Sequence, residues 1–169
     1  MFKKMLVASS IALLSAAANS GGYIGASFGK SDVDVSGFDD GNSVAISGGY
    51  KFNKHFALEL SYIDLGESTD DIPPEWTIEV DGFNFAAVGI IPINDNVEVF
   101  GKLGAYMWDA DVKERGWGKI ASDDGTDFSF GLGVAGHITE QFSLVLEFQR
   151  FDIDGDDVDN VSLGVRFNF

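Results

Sequence analysis

The chain reads as all-β: a closed, eight-stranded antiparallel up-and-down transmembrane barrel, preceded by a cleaved export signal. Three observations predict it. Apolar side chains recur at every second position in eight segments, which is the period of a strand. The 169 residues include 21 Gly, a poor helix former, but only 3 Pro. Finally, 19 of the 27 acidic residues fall in four of the seven connections, spanning 30–42, 66–77, 109–127 and 152–160. The formal net charge of −16 excludes a nucleic-acid phosphate partner. A hydrophobic content of 45% excludes an acidic disordered chain. With no Cys there is no disulfide, thiolate zinc site or lipoprotein anchor.

The N-terminus has the layout of a secretory signal peptide. Lys3 and Lys4 precede an apolar run at 5–14, followed by small residues. Cleavage fits after Ala18, giving a signal of 1–18 and a barrel domain of 19–169; cleavage after Ser20 is the alternative. The run is too short to cross a bilayer core of about 30 Å as a helix.

The strands follow in order. Residues 22–29 set Ile24, Ala26 and Phe28 against Tyr23, Gly25 and Ser27. Residues 43–52 set Val44, Ile46, Tyr50 and Phe52 against Ala45, Ser47, Gly49 and Lys51. Residues 56–62 set Phe56, Leu58, Leu60 and Tyr62 against Ala57, Glu59 and Ser61. The fourth segment, 78–91, presents Phe83, Phe85 and Ala87 against Asn84 and Ala86, with ambiguous parity. In 97–108, Val97, Val99, Leu103 and Met107 alternate with Glu98, Phe100, Lys102 and Tyr106. In 127–138, Phe128, Phe130, Leu132 and Val134 alternate with Ser129, Gly131, Gly133 and Ala135. Residues 142–149 oppose Glu147 and Gln149 to an apolar row, and 161–169 oppose Ser162, Gly164, Arg166 and Asn168 to another. Tight turns at 53–55, 94–96 and 139–141 join strands at the end away from the acidic loops.

A soluble barrel and a membrane barrel share this alternation, and the polar row separates them. It carries Lys51, Glu59, Glu98, Lys102, Glu147 and Arg166 among Gly, Ala and Ser. Small residues with charges of both signs suit a narrow lumen filled by side chains. Even strand number and short turns opposite long loops match outer-membrane barrels. The six charges are expected to form a lumenal ion-pair network, because buried charges must be paired.

The chain resembles the small eight-stranded outer-membrane barrels of Gram-negative bacteria, of the OmpA transmembrane-domain and OmpX/Ail kind. The resemblance rests on the opening Gly-Tyr-Ile-Gly-Ala-Ser-Phe-Gly (22–29), the tight turns, the Leu-Glu-Phe-Gln-Arg-Phe segment (146–151) and the terminal strand ending in Phe169. It implies that Val161, Leu163, Val165, Phe167 and Phe169 are the recognition signal for the outer-membrane assembly machinery. It also implies a barrel-only member, embedded among outer-membrane lipid and lipopolysaccharide.

Other motifs carry less. Gly131-Leu132-Gly133-Val134-Ala135-Gly136 matches G-x-G-x-x-G, but inside a strand with no following helix to receive a pyrophosphate. Asp152, Asp154, Asp156, Asp157 and Asp159 form a weak candidate divalent-cation loop without EF-hand spacing. Part of the set Tyr62, Trp76, Tyr106, Trp108 and Trp117 is expected to form the outer aromatic girdle, with Trp117 in a loop. His55 and His137 both lie at the tight-turn end, so no outward-facing His/Ser/acid site is expected, and the chain is not expected to be an enzyme or to need a cofactor. The reading is a monomeric envelope protein that displays acidic loops for structural support, surface contact or adhesion. The alternatives are a narrow gated pore and a soluble lipocalin-like binder.

Overall fold

The computed structural model describes residues 21–33, 41–69, 76–114, 118–153 and 155–169. The expected signal peptide, Trp117 and Asp154 lie outside these, as do the side chains of Trp76 and Asp156. The chain folds into β1 (Gly22–Val33), β2 (Gly41–Asn53), β3 (Phe56–Thr69), β4 (Trp76–Asn94), β5 (Val97–Glu114), β6 (Gly118–His137), β7 (Phe142–Ile153) and β8 (Asp156–Asn168). Each strand pairs antiparallel with the next, and β8 pairs with β1 to close the barrel. Closure is completed at the chain end, where the Phe169 N–H donates to the Gly22 carbonyl at 3.0 Å. A closed ladder leaves no strand edge in lipid, where an unpaired backbone group costs several kcal/mol.

The apolar rows face out. Leu103, Leu132 and Leu163 are about 60% exposed, whereas Glu59, Lys102 and Arg166 are at most 5% exposed. The ambiguous fourth strand resolves with Phe85, Ile91 and Ile93 outward and Asn84, Ala86, Val88 and Ile90 inward. Aromatics gather on the outer face at the tight-turn end, where Tyr50 meets Phe52 edge-on and Phe142 packs on Phe167. Such a belt marks a membrane–water interface. At the opposite end the girdle expectation divides. Tyr62 is on the outer face against Phe83. Tyr106 and Trp108 instead turn inward and are buried in the lumen. Their even parity, shared with Phe100 and Lys102, decides their direction, and an aromatic ring alone does not.

The three tight turns share one device. The Asn53 side-chain oxygen accepts the His55 N–H, and Asn94 does the same for Asn96, both at 2.8 Å. Thr139 Oγ1 accepts from the N–H groups of Gln141 and Phe142. These side-chain-closed turns need only three residues.

The acidic connections are shorter than the sequence implies, because the strands continue into them. β5 and β6 pair from Val97↔Gly136 to Glu114↔Gly118, with one register shift between Val112 and Lys113, through a segment read above as loop. Hydrophobic alternation fades there because both faces leave the lipid, yet the backbone ladder goes on. One connection closes tightly at Gly155, whose φ of +91° is a left-handed conformation that glycine adopts without strain.

Candidate functional site

The lumen is the only region where ionised side chains are packed together away from water among the described residues. The closed register brings all six sequence-selected charges into two adjoining sets. In the first, toward the tight turns, the Glu98 carboxylate accepts from Lys51 Nζ at 3.3 Å and from Arg166 at 3.0 Å. His137 Nε2 stands 3.5 Å from its other oxygen. In the second, Lys102 Nζ lies 2.6 Å from Glu59 and 2.7 Å from Glu147. Tyr23 donates to Glu59 at 2.7 Å and Ser61 donates to it at 3.1 Å. The sets meet through aromatic faces: the Arg166 guanidinium lies 4.6 Å from the Tyr23 ring centre and 5.2 Å from that of Phe100. Three carboxylates therefore face three cations, and the lumen carries no net formal charge from these six.

Two apolar layers, absent from the sequence expectation of a polar lumen, bracket the second set. Ala57, Val88, Ile90, Phe100, Ala135 and Val145 pack with Tyr23 on the tight-turn side. Ile63, Leu65, Tyr106, Trp108, Phe151 and Val158 pack on the loop side. Between them, Ser129 donates to Asn84 at 2.7 Å, and Glu59, Lys102 and Glu147 complete the polar layer. In 97–108 and 142–149 a neighbouring charge flags the inward face. Val88 and Ile90 sit in a stretch that is apolar on both faces, so alternation gave no sign of them, whereas Ile63, Leu65 and Phe151 alternate with Asp64, Arg150 and Asp152 on the outer face, the reverse of the pattern at the level of the lipid.

One arrangement at the tight-turn mouth has the ingredients of nucleophilic catalysis. Ser143 Oγ is 2.8 Å from His137 Nδ1, whose other nitrogen faces Glu98. Two features deny it chemistry. Ser143 is 1% exposed, so no substrate carbonyl reaches its oxygen. Glu98 is committed to Lys51 and Arg166, which leaves it little charge to stabilise an imidazolium.

Of the G-x-G-x-x-G glycines, Gly131 and Gly133 are closely packed, while a Cβ on Gly136 would meet nothing within 4 Å. A Cβ on Gly133 would run into Phe100 Cζ and meet the Leu146 carbonyl oxygen at 2.8 Å. Of the candidate cation loop, Asp157 and Asp159 pair with Arg150, and Asp152 accepts the Gly155 N–H at 3.1 Å. No group of three or more His, Cys, Asp or Glu is placed to hold a metal among the described residues.

A second feature escaped the sequence entirely. Asp64 pairs across from Asp81, Asp81 from Asp109, and Asp109 from Asp124. Four carboxylates thus form one row across β3–β6 on the outer face. The row directly below it is Tyr62, Phe83, Met107 and Thr126, so the carboxylates stand at the upper limit of the apolar band. Tyr62 donates to Asp81 at 2.6 Å.

A family model for the outer membrane protein beta-barrel domain matches residues 5–169. The chain belongs to that family. It is 29% identical over 168 residues to outer membrane protein A of Escherichia coli O157:H7, which covers 87% of this chain and 47% of that protein. The corresponding Klebsiella pneumoniae protein is 28% identical over 141 residues, covering 72% of this chain and 39% of its own length. The chain thus spans about half the length of these relatives or less. Among solved structures, Neisserial surface protein A superposes with a TM-score of 0.75 at 19% identity, covering 89% of this chain and 98% of that one. Ail, the attachment invasion locus protein of Yersinia pestis, superposes with a TM-score of 0.64 at 18% identity, covering 89% and 99%. The chain is a bacterial outer-membrane β-barrel, similar in sequence to outer membrane protein A and in fold to Ail. In such barrels short turns are periplasmic and longer loops extracellular.

Proposed function

We propose that this protein is a closed membrane body that reinforces the outer membrane and presents an acidic extracellular rim for surface contact, rather than a steady conduit or an enzyme. The observation that carries the reading is the doubly sealed lumen, in which apolar layers stand on both sides of the paired Glu59–Lys102–Glu147 set. An ion entering this column would have to leave its hydration shell against apolar walls and break a buried charge pair. An eight-stranded barrel is only wide enough to be filled by its own side chains. Ail, an attachment invasion locus protein of similar fold, supports a contact role. Ail has also been solved with the heparin analogue sucrose octasulfate. Here the rim bears Asp64, Asp81, Asp109, Asp123, Asp124 and Asp157, so a cationic partner suits it better than a sulfated one. Lipopolysaccharide and phospholipid supply the apolar face with its solvent.

Two measurements test the reading. The chain has no native Cys, so one introduced thiol reports its own location. Asp123→Cys labels with a membrane-impermeant maleimide on intact cells, and Lys54→Cys labels only after the outer membrane is broken. Purified barrel in planar bilayers should show no steady conductance. Steady ion flow that changes with Glu98→Ala or Lys102→Ala would replace this reading with the gated pore.

A further inference from the structure

The lipid-facing wall carries a groove with a charged upper end. Directly paired residues form diagonal rows around a closed barrel, because its strands tilt by about 35–45°. One outward row runs Lys30–Val161–Phe148–Leu132–Gly101–Gly89, from β1 back to β4. The row beneath it holds Leu146, Val134, Val99 and Ile91. Between the two rows lies an apolar depression of about 670 Å³, a volume in the range of ligand clefts. Its lower end is a notch. A Cβ on Gly89 would meet nothing within 4 Å, and one on Gly101 would make ordinary contacts with Leu132 at 3.5 Å and the Gly131 carbonyl oxygen at 3.8 Å. The chain's own packing therefore does not demand these two glycines, and a strand glycine of that kind marks a place where another molecule approaches closely.

The dimensions suit one lipid chain. Gly89 lies near the middle of the outward apolar stretch of β4, from Phe83 to Ile93, whereas Lys30 is the first outward polar residue above Phe28. Five inter-strand steps of about 4.8 Å separate them, about 24 Å in all. Inclined by about 40°, that path climbs about 15 Å, which is half of a hydrocarbon core of about 30 Å. The groove thus runs from the polar border to the bilayer midplane. A second barrel, itself convex, could not reach the floor between the rows.

The charges at the upper end are ordered. Lys30 and, two residues nearer the loops, Asp32 are both exposed on the outer face, and neither has an ion pair among the described residues. Asp159, directly across from Asp32, is held by Arg150. A headgroup that presents a phosphate first and a free ammonium beyond it meets Lys30 and Asp32 in that order. A headgroup with a phosphate alone leaves Asp32 unneutralised. A glycolipid with two phosphates would bring the second against Asp32 and Asp159.

We propose that this groove binds one phosphatidylethanolamine molecule, with its phosphate on Lys30, its ammonium on Asp32 and one acyl chain laid down the row to the notch at Gly101 and Gly89. The site lies on the lipid wall and is independent of what the rim contacts.

Contact quenching in phosphatidylcholine vesicles tests it. The chain has no Cys, so a fluorophore on Ala87→Cys reports the notch beside Gly89, and one on Ala26→Cys reports the wall at β1. The probes are dilute lipids brominated near the end of one chain, with ethanolamine, glycerol or choline on the phosphate, and a bis-phosphorylated glycolipid. At Ala87→Cys the ethanolamine probe should quench about threefold more per mole than the others, the scale of two exposed ion pairs. At Ala26→Cys the probes should not differ. Asp32→Asn should make the ethanolamine and glycerol probes equal at the notch, and adding Lys30→Gln should remove all preference. Gly101→Leu should fill the groove and remove the excess with both charges intact. Lys30, Asp32 and Gly101 all face outward, so each variant should keep the gel mobility of the folded barrel. Equal quenching by all headgroups at the notch, an equal excess at Ala26→Cys, a stronger glycerol or glycolipid probe, or an excess that survives the double charge variant would overturn the proposal.

Discussion

Replacing Lys102 by Met removes the one cation that holds two buried carboxylates together. Lys102 Nζ lies 2.6 Å from Glu59 and 2.7 Å from Glu147, and all three side chains are buried. Both carboxylates sit on one nitrogen, so they are about 5 Å apart, and at an effective dielectric near 20 their repulsion is about 3 kcal/mol. Removing one partner of a buried ion pair costs about 3–5 kcal/mol, consistent with that figure. Glu59 retains Tyr23 and Ser61 as donors, so Glu147 bears most of the loss. Adding Glu147→Gln to Lys102→Met removes the repulsion and should restore about 3 kcal/mol. The assay is urea unfolding of barrel folded into phospholipid vesicles, followed by Trp fluorescence and by the mobility of unheated against boiled samples. A loss below about 1 kcal/mol for Lys102→Met, or no recovery in the double variant, would refute the reasoning, since that is the scale of a solvated surface pair.

Asp109→Asn relieves repulsion from Asp81 and Asp124 on both sides, and should stabilise by about 0.2–1 kcal/mol per opposed pair. The gain should shrink as salt rises; urea midpoints at low and high ionic strength measure it. Gly133→Ala forces a methyl against Phe100 and the Leu146 carbonyl, and should cost about 1–3 kcal/mol as overpacking does. Gly89→Ala meets nothing within 4 Å on the outer face and should be near neutral in the same titration. Deleting Phe169 removes the N–H bond to Gly22 and the last residue of the expected assembly signal. The heat-modifiable form should fall in cellular outer membranes more than in vesicles refolded without the assembly machinery, as paired gels would show.

Facing was legible wherever a charge or amide interrupted an apolar row. Glu59, Lys102, Glu147 and Arg166 marked the inner face of their strands because an unpaired charge in lipid is too costly to tolerate. Pairing was not legible, since Glu98 and Arg166 are 68 positions apart and meet only through the stagger of the closed ladder. Val88 and Ile90 escaped notice because a period of two says nothing when both faces are hydrophobic, as beside Ala87 and Ile91, while at Ile63 and Leu65, which flank Asp64, the apolar row passes from the outer face to the inner one. The upper β5–β6 hairpin read as loop because neither of its faces meets lipid. The row of four aspartates appears only when cross-strand register is known, because its members come from four strands.

The central claim is that Phe142, Leu144, Leu146 and Phe148 meet acyl chains while Ser143, Val145, Glu147 and Gln149 do not. Nitroxide labels placed singly at each position from 142 to 149, in barrel reconstituted in bilayers, measure it through collision with dissolved oxygen, which concentrates in lipid. The account predicts high oxygen accessibility at the even positions and low accessibility at the odd ones. Reversed parity, or uniformly low values at all eight, would contradict it.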